Sequence, residues 1–430
     1  MNFRVLVIAY YFPPKGLSGV QRTLKFVKYF PHFGWKSTVI TSGENAYYAY
    51  DHSLLNEIDH ENTKILRVEA KEINSLIKSK KQVKMPGEFI RKILSFFSSL
   101  FFIPDNKVSW SSKALKAARE EMNTEKYDLI YVSGPPFSSV EIASILKKEF
   151  NKPLVIDYRD LWYGNHFAIY PTPIHKILIK NSEYKALKSA DLVTVTNRRI
   201  KEFLKLNYPF LRFDDVLIVS HGFDSEDIEK AKPEVTANEN KKLILTYSGL
   251  FYEYITPKYL LKAFSLLKTE LPEIAANIEL RFVGILRKAN TKMIEKLGLK
   301  ENVKEYGYLE HIEALKVIME SDVLWLMVGH GRNNDTISSG KLFEYFGTGK
   351  PVLGCLPDGA LKSALEEYGA GYLTKPDDIN GIKNALKRIY EDFKSSNLPV
   401  PNSEVIGKYD RKSLTGVLTN KFQFLVRDIE

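Results

Sequence analysis

Lys341 and Glu344 are the residues of this 430-residue chain whose types and spacing most directly suggest chemistry. They lie in residues 337–355, ISSGKLFEYFGTGKPVLGC, which read as loop, helix, turn and strand. Ser338, Ser339 and Gly340 are small residues suited to a helix start, and the spacing predicts a helix over 341–346. Gly347 and Gly349 end it, Lys350-Pro351 prevents continuation, and a short buried strand follows. A helix N-terminus offers unpaired N–H groups and the positive end of a dipole, which suits phosphate. Lys341 in the first turn adds a full charge. Glu344, three residues on, shares its helix face and lies one turn below that anion site, within reach of a sugar hydroxyl. A capped surface helix with an ordinary Lys–Glu pair has the same local pattern, and the pattern alone does not separate the two readings.

The flanking residues add context. Residues 325–328, WLMV, form a buried strand before the loop, and 370–373, AGYL, come after it. Strand, phosphate loop, helix and strand is the layout of a nucleotide domain with its ligand at the carboxyl ends of parallel strands. The stretch resembles the donor-site signature of the retaining glycosyltransferases of family 4, the group 1 transferases of GT-B fold, and its S-G-K-L-F-E-Y form is similar to one branch of them. The resemblance implies that Glu344 holds the nucleotide ribose. A second family glutamate, eight positions earlier, contacts the donor sugar; here that position is Thr336, with Asp335 beside it.

Composition narrows the remaining classes. The chain is too long for one ordinary core, and 44% hydrophobic with 27% charged residues is a globular balance. A single cysteine, Cys355, excludes an intrachain disulfide framework and fits a reducing compartment. The apolar run in 1–12 is interrupted by tyrosines and stopped by Pro13-Pro14, so it reads as a strand and not a signal peptide. No apolar segment approaches the roughly 20 residues of a membrane span. The net charge of +10 is uneven: residues 1–222 hold 33 Lys and Arg against 22 Asp and Glu, and 223–430 hold 29 against 30. An anionic partner is therefore expected for the amino-terminal half. With no nucleic-acid motif, that partner is expected to be an anionic membrane surface or a phosphorylated acceptor.

Taken in order, residues 3–10 read as a central parallel strand. Gly16 and Gly19 lie in the loop after it, and Gln21-Arg22 opens a helix to about 33. Strand, glycine loop and helix is a phosphate-loop arrangement, although such loops are also plain tight turns. The resemblance makes this loop and helix line the cleft, with Gly16 and Gly19 on the donor and Arg22 on the acceptor. Strands are expected at 35–41 and 64–68. Over 85–110, Phe89, Ile93, Phe96, Phe97, Leu100 and Phe101 recur at helical spacing with Arg91 and Lys92 between them, just after Lys78, Lys80, Lys81 and Lys84. That pattern fits either a membrane-interface helix over 85–104 or a helix packed on its own domain. Strands follow at 127–133 and 153–157. The first runs into Gly134-Pro135-Pro136 and a helix to about 150; the second runs into Tyr158-Arg159-Asp160-Leu161-Trp162. Charges directly after a buried strand need a partner or a role. Arg159–Asp160 is either a structural pair or, as the resemblance implies, catalytic, with Pro136 and Trp162 on the acceptor side. Further strands are expected at 191–196 and 216–220, with helices over 181–190 and 198–206; His221 reads as structural.

Residues 225–242 are charged and helix-poor and mark the domain junction. A strand at 243–247 ends at Gly249, and a helix covers 257–268. Family members often grip the donor diphosphate with Arg and Lys after this glycine. Here Lys258 is the nearby cation, and Arg287 or Lys288 stands ready to supply a missing charge. Strands at 279–283 and 303–306, and helices at 313–319, 379–393 and 413–426, complete the reading.

The expected fold class is α/β: GT-B, two doubly wound Rossmann-like domains facing across a cleft. Residues 1–224 form the acceptor domain, 225–395 the nucleotide-sugar domain, and 396–430 a tail helix crossing back. The implied reaction is glycosyl transfer with retention, from a UDP- or GDP-type donor to a carbohydrate or lipid-linked acceptor of cell-surface polysaccharide or glycolipid. Lys341 and the N–H groups of Ser339 and Gly340 would stabilise the leaving phosphate. No D-x-D motif appears, so neither a metal nor a cofactor is expected. The expected location is cytoplasmic, peripheral at the inner face of the membrane. Two alternatives share the nucleotide site: a GT-B nucleotide-sugar epimerase, and a degenerate transferase kept as a binding subunit.

Overall fold

A computed structural model describes residues 3–43, 47–70, 88–233 and 242–427. Lys78, Lys80, Lys81, Lys84 and 85–87, all part of the expected membrane segment, lie outside the described residues. The chain divides into two compact units, Met1–Ser220 with Arg411–Glu430, and His221–Asp410.

The first unit is a seven-stranded parallel sheet of β1 (Phe3–Ile8), β2 (Trp35–Ser42), β3 (Thr63–Val68), β4 (Leu129–Gly134), β5 (Leu154–Tyr158), β6 (Leu192–Val195) and β7 (Val216–Ile218). Their spatial order is β3-β2-β1-β4-β5-β6-β7. The order reverses between β1 and β4, so the loops leaving those strands flank a crevice at the sheet's carboxyl edge. The strands read as continuous apolar runs because both faces are covered. Val5 and Val7 face the helices Ser18–Tyr29 and Arg411–Arg427, while Leu6 and Ile8 face Val108–Thr124 and Ser138–Phe150. The last helix is integral to this core: Phe422 packs against Trp35 and Tyr131, with ring centroids 5.4 and 5.8 Å away.

The second unit is a six-stranded parallel sheet of β8 (Leu243–Ser248), β9 (Ile278–Val283), β10 (Val303–Gly307), β11 (Val323–Met327), β12 (Val352–Cys355) and β13 (Gly371–Thr374). Its order is β10-β9-β8-β11-β12-β13, with the reversal between β8 and β11. Lys258–Glu270 and Ile379–Lys394 cover one face; His311–Met319, Gly340–Thr348 and Ala360–Tyr368 cover the other.

Several boundaries differ from the sequence reading. The second unit begins at His221, since Phe223 packs on Gly347 and its N–H donates to the Tyr409 carbonyl at 3.0 Å. Residues 396–410 stay with that unit: the helix Ser403–Lys408 buries Val405, and the Asn402 N–H donates to Tyr368. The stretch expected to be helix-poor opens with a helix, Ser225–Lys230, capped by the Asp224 carboxylate on the Glu226 N–H. From residue 88 on, the aromatic run holds two helices, Glu88–Phe101 and the start of Val108–Thr124. Asp105 separates them because its carboxylate is committed elsewhere, accepting the N–H groups of Phe137 and Ser138 at 2.6 and 2.9 Å.

In the first unit Glu183, on the helix Pro173–Ser189, is fully buried, accepting from the Tyr208 hydroxyl at 2.6 Å and the Tyr163 N–H at 3.0 Å. Desolvation pushes its carboxyl up to about 7, more than those hydrogen bonds pull it down. An acid whose folded pKa is raised stabilises the fold fully below its unfolded pKa, and that contribution is lost as pH rises towards 7. Urea titrations between pH 4.5 and 7.5 should show this loss, on the order of 3 kcal/mol. Glu183→Gln should flatten the profile; an equally sloped Gln variant would assign the slope elsewhere.

Candidate functional site

The site of the second unit is built on the helix Gly340–Thr348. Leu342, Phe343, Tyr345 and Phe346 are buried, and burial is worth roughly 1.5–3 kcal/mol for each such side chain. The Tyr345 hydroxyl accepts the Ser248 N–H at 2.9 Å, which ties the helix to the carboxyl end of β8. Burial raises the Tyr345 pKa, keeping the hydroxyl neutral. The first helical turn therefore stands at the reversal of strand order.

Lys341 and Glu344 share a face but point to different partners. Among the described residues no ion pair joins them. The Lys341 side chain lies across Gly249, the residue after β8: a Cβ there would collide with its stem and stand 2.7 Å from Nζ. Gly249 also has φ +131°, so glycine is required twice over. Nζ is 5.4 Å from the centre of the Tyr247 ring. Lys341 is half-buried, and desolvation pushes its ammonium down to about 8, against the opposing pull of the Glu344 charge. Glu344 instead meets His311, with Oε1 3.0 Å from Nε2; the other ring nitrogen is 3.6 Å from Asp227. This Asp227–His311–Glu344 chain was not anticipated. Its signal was the Asp224 cap followed by Glu226 and Asp227, a helix start that the charged composition of 225–242 obscured.

No side chain caps the helix at Ser339 among the described residues. The buried Ser338 Oγ has no hydrogen-bond partner, and a Cβ on Gly340 would meet open space. Uncapped N–H groups, a desolvated ammonium and an unpartnered hydroxyl at one helix N-terminus are the elements of an anion site. Thr336 sits in the preceding turn, buried, with its hydroxyl donating to the Asn333 carbonyl at 2.7 Å. Lys258 begins the helix after β8, and Arg287 immediately precedes the helix Lys288–Lys296 after β9. Both thus leave the same sheet edge as Gly249. Gly249 and Gly284 also pack so closely that a Cβ at Gly284 would lie 2.9 Å from the Gly249 carbonyl carbon.

In the first unit the expected residues gather at the β1/β4 reversal, most of them already committed to partners within the unit. Arg22, expected to touch an acceptor, is buried and bound to Asp157 through two nitrogens, at 2.7 and 3.0 Å; it also donates to the Val219 and Ser220 carbonyls, each at 2.8 Å. Burial would raise the Asp157 pKa, yet Arg22 and the hydroxyls of Ser133 and Thr194 hold it down to about 2. Arg159, expected to be catalytic, is also buried. Its guanidinium donates to the carbonyls of Gly19, Gly134 and Pro135, pinning the loops after β1 and β4. Gly16 donates its N–H to the Ala49 carbonyl at 3.0 Å, and the Gly19 carbonyl accepts from Arg159. Pro136 is buried, and Trp162 stacks on Phe137 at 4.8 Å with planes 4° apart. Asp160 is half-buried, and among the described residues its carboxylate has no hydrogen-bond or ion-pair partner. It is the candidate acid or base left at this edge.

Comparisons with known proteins bear on the family and the fold. Residues 227–404 match the family described as glycosyl transferases group 1, and 81–227 match glycosyltransferase family 4. No curated protein matches the chain in sequence. Among solved structures, sucrose-phosphate synthase from Thermosynechococcus elongatus is similar with a TM-score of 0.68 at 14% identity, over 99% of this chain and 100% of that one. Anabaena Alr3699/HepE in complex with UDP and glucose has a TM-score of 0.63 at 15% identity, over 98% and 100%. A glycosyltransferase from Rickettsia africae ESF-5 has 0.64 at 14%, over 99% of each chain. At such identities these structures carry the fold alone.

Two outcomes are expected of this geometry. Nucleoside diphosphate affinity, measured by calorimetry, should fall as pH rises above about 8, where the free Lys341 loses its proton, by at most about tenfold per pH unit. Lys341→Ala should bind more weakly and lose that dependence; an unchanged profile would place the anion elsewhere. His311→Ala should weaken binding by roughly two- to tenfold, the worth of one hydrogen bond, and Glu344→Ala by at least as much. Wild-type affinity in both would show that the pair only stabilises the unit.

Proposed function

From the premise that the chain belongs to the group 1 glycosyltransferases of GT-B fold, we propose that it transfers a sugar with retention from a UDP- or GDP-type donor to a carbohydrate or lipid-linked acceptor of a cell-surface polysaccharide or glycolipid. The observation that carries the reading is the Lys341 ammonium, desolvated beside an uncapped helix N-terminus at the strand reversal of the second unit. A diphosphate neutralises that charge and takes up the N–H groups of Ser339 and Gly340. Glu344, held by His311, meets the ribose, and Thr336 stands on the sugar side. Arg287 and Lys258 supply further cations at the same edge.

In this scheme the acceptor oxygen attacks the anomeric carbon on the face the leaving group departs from. The C–O bond to the diphosphate breaks, the new glycosidic bond forms, and a phosphate oxygen takes the acceptor's proton. Negative charge growing on the diphosphate is stabilised by Lys341, which is why the ammonium contributes to rate as well as to binding. Asp160 is proposed to orient the acceptor. Arg159 and Arg22 are proposed as positioning residues of the acceptor unit and not as reacting groups. Neither metal nor cofactor is part of the scheme, and the setting is cytoplasmic.

A thermal-shift screen of nucleotide sugars should identify one donor class, since ligand at 100 times its Kd adds roughly 2.7 kcal/mol. Incubated with acceptor, that donor should yield a glycoside of unchanged anomeric configuration, also in the presence of a chelator. With donor alone, slow hydrolysis is expected. A new nucleotide sugar would identify an epimerase, and binding without turnover across a broad acceptor panel a degenerate subunit. Asp160→Asn should reduce turnover by roughly 10²-fold or more with little change in donor affinity; normal turnover would return Asp160 to a structural role.

A further inference from the structure

The helix Glu88–Phe101 is turned the wrong way round for a packed helix. Ile90, Ile93, Leu94, Phe97 and Phe101 form one stripe at steps of three and four residues, and all are exposed, from 41% at Ile93 to 73% at Phe101. Phe96 beside them is 42% exposed. The residues turned towards the unit are Arg91, Ser95, Ser98, Ser99 and Leu100, mostly polar and each half-buried. A helix that stabilised its own domain would place the stripe inside and the serines outside. The apolar surface does not end there. The carbonyl of Leu100 meets Nε2 of His175 at 3.1 Å, which brings the first turns of the helix Pro173–Ser189 alongside. Those turns expose Ile174 at 66%, Ile177 at 59% and Leu178 at 43%, again at steps of three and four. Two neighbouring helices of one unit thus present at least eight large apolar side chains to solvent. Contiguous patches of this kind mark interaction sites.

Charge selects the partner. Arg91 and Lys92 lie on the first helix, and Lys176, Lys180, Lys185 and Lys188 on the second. The only acids of the two segments are Glu88 and the buried Glu183. Lys92 and Lys176 are exposed among the apolar residues themselves. Neither helix is long and apolar enough to cross a membrane. An apolar stripe flanked by cations, on helices too short to span, fits the interface of an anionic bilayer, with the rings at headgroup depth and the ammonium groups on the phosphates. We propose that the helices Glu88–Phe101 and Pro173–Ser189 form one membrane-docking surface that takes an anionic phospholipid bilayer. This inference stands apart from the donor chemistry of the second unit.

Sedimentation of the full chain with phosphatidylcholine vesicles, with and without phosphatidylglycerol, tests it. Binding to the anionic vesicles is expected at low salt, falling at least several-fold by 0.5 M salt and little without phosphatidylglycerol. Phe97→Ser with Phe101→Ser, and separately Ile174→Ser with Ile177→Ser, should each lower the bound fraction roughly tenfold. Lys92→Glu with Lys176→Glu should do so at low salt only. These side chains are exposed, so melting temperature should hold, and nucleotide binding serves as an independent control. A wild-type chain that ignores anionic vesicles overturns the proposal. So does binding that survives both serine pairs. Self-association measured by sedimentation equilibrium, lost in the serine variants without any vesicle binding, would make the face an interface between copies of this chain instead.

Discussion

The candidate donor site depends on one docking contact. Ser248 at the end of β8 gives its N–H to the Tyr345 hydroxyl, and that bond fixes how far the helix Gly340–Thr348 advances along the sheet edge. A net bond of this type is worth only about 1 kcal/mol, but leaving a buried donor unpaired costs more, so the register is strongly specified. With the helix held there, the Lys341 stem has one path, over the bare backbone of Gly249. The close packing of Gly249 and Gly284 in turn sets the floor beneath it. A side chain at either glycine would push the ammonium off the strand end. The charge of the site thus rests on two residues with no side chain and one tyrosine that never needs to touch a ligand.

The two units use desolvated cations in opposite ways. In the first, Arg22 meets Asp157 and two carbonyls, and Arg159 meets three carbonyls. Their fixed planar donors suit several acceptors at once, and the result is rigid loops at the β1/β4 reversal. Removing either partner of the Arg22–Asp157 pair would strand a charge in the core. In the second unit, Lys341 is desolvated without a carboxylate in ion-pair contact among the described residues, and Glu344, whose charge acts on it, is held by His311. A saturated cation builds structure, whereas a cation missing its counter-charge is poised to receive one. That difference, and not the number of basic residues, separates the framework cations of one unit from the candidate binding cation of the other.

The exposed stripe of Glu88–Phe101 follows the same logic. Periodicity shows that a helix has an apolar face but not which way that face turns. Here the small serines let the helix lie against its unit by the polar side, and the aromatic side is left over. Nothing local could have revealed this, because the choice is made by what already fills the core.

The chain by itself determined nearly all of the described strands, since fully covered parallel strands must be apolar runs closed by glycine, proline or charge. It also determined the helix carrying Lys341 and Glu344, whose small-residue start and glycine stop are local events. What it could not determine were partners far apart along the chain. Arg22 and Asp157 are separated by 135 positions, and Glu344 and His311 by 33. From pattern alone Lys341 and Glu344 were as good a surface pair as a site, and Arg159 as good a catalyst as a pin. Only the tertiary structure shows which partners these side chains meet, Glu344 against His311 and Arg159 against three carbonyls, because desolvation and hydrogen-bond saturation are properties of an enclosed space, and enclosure is made by segments that meet only when the sheets are assembled.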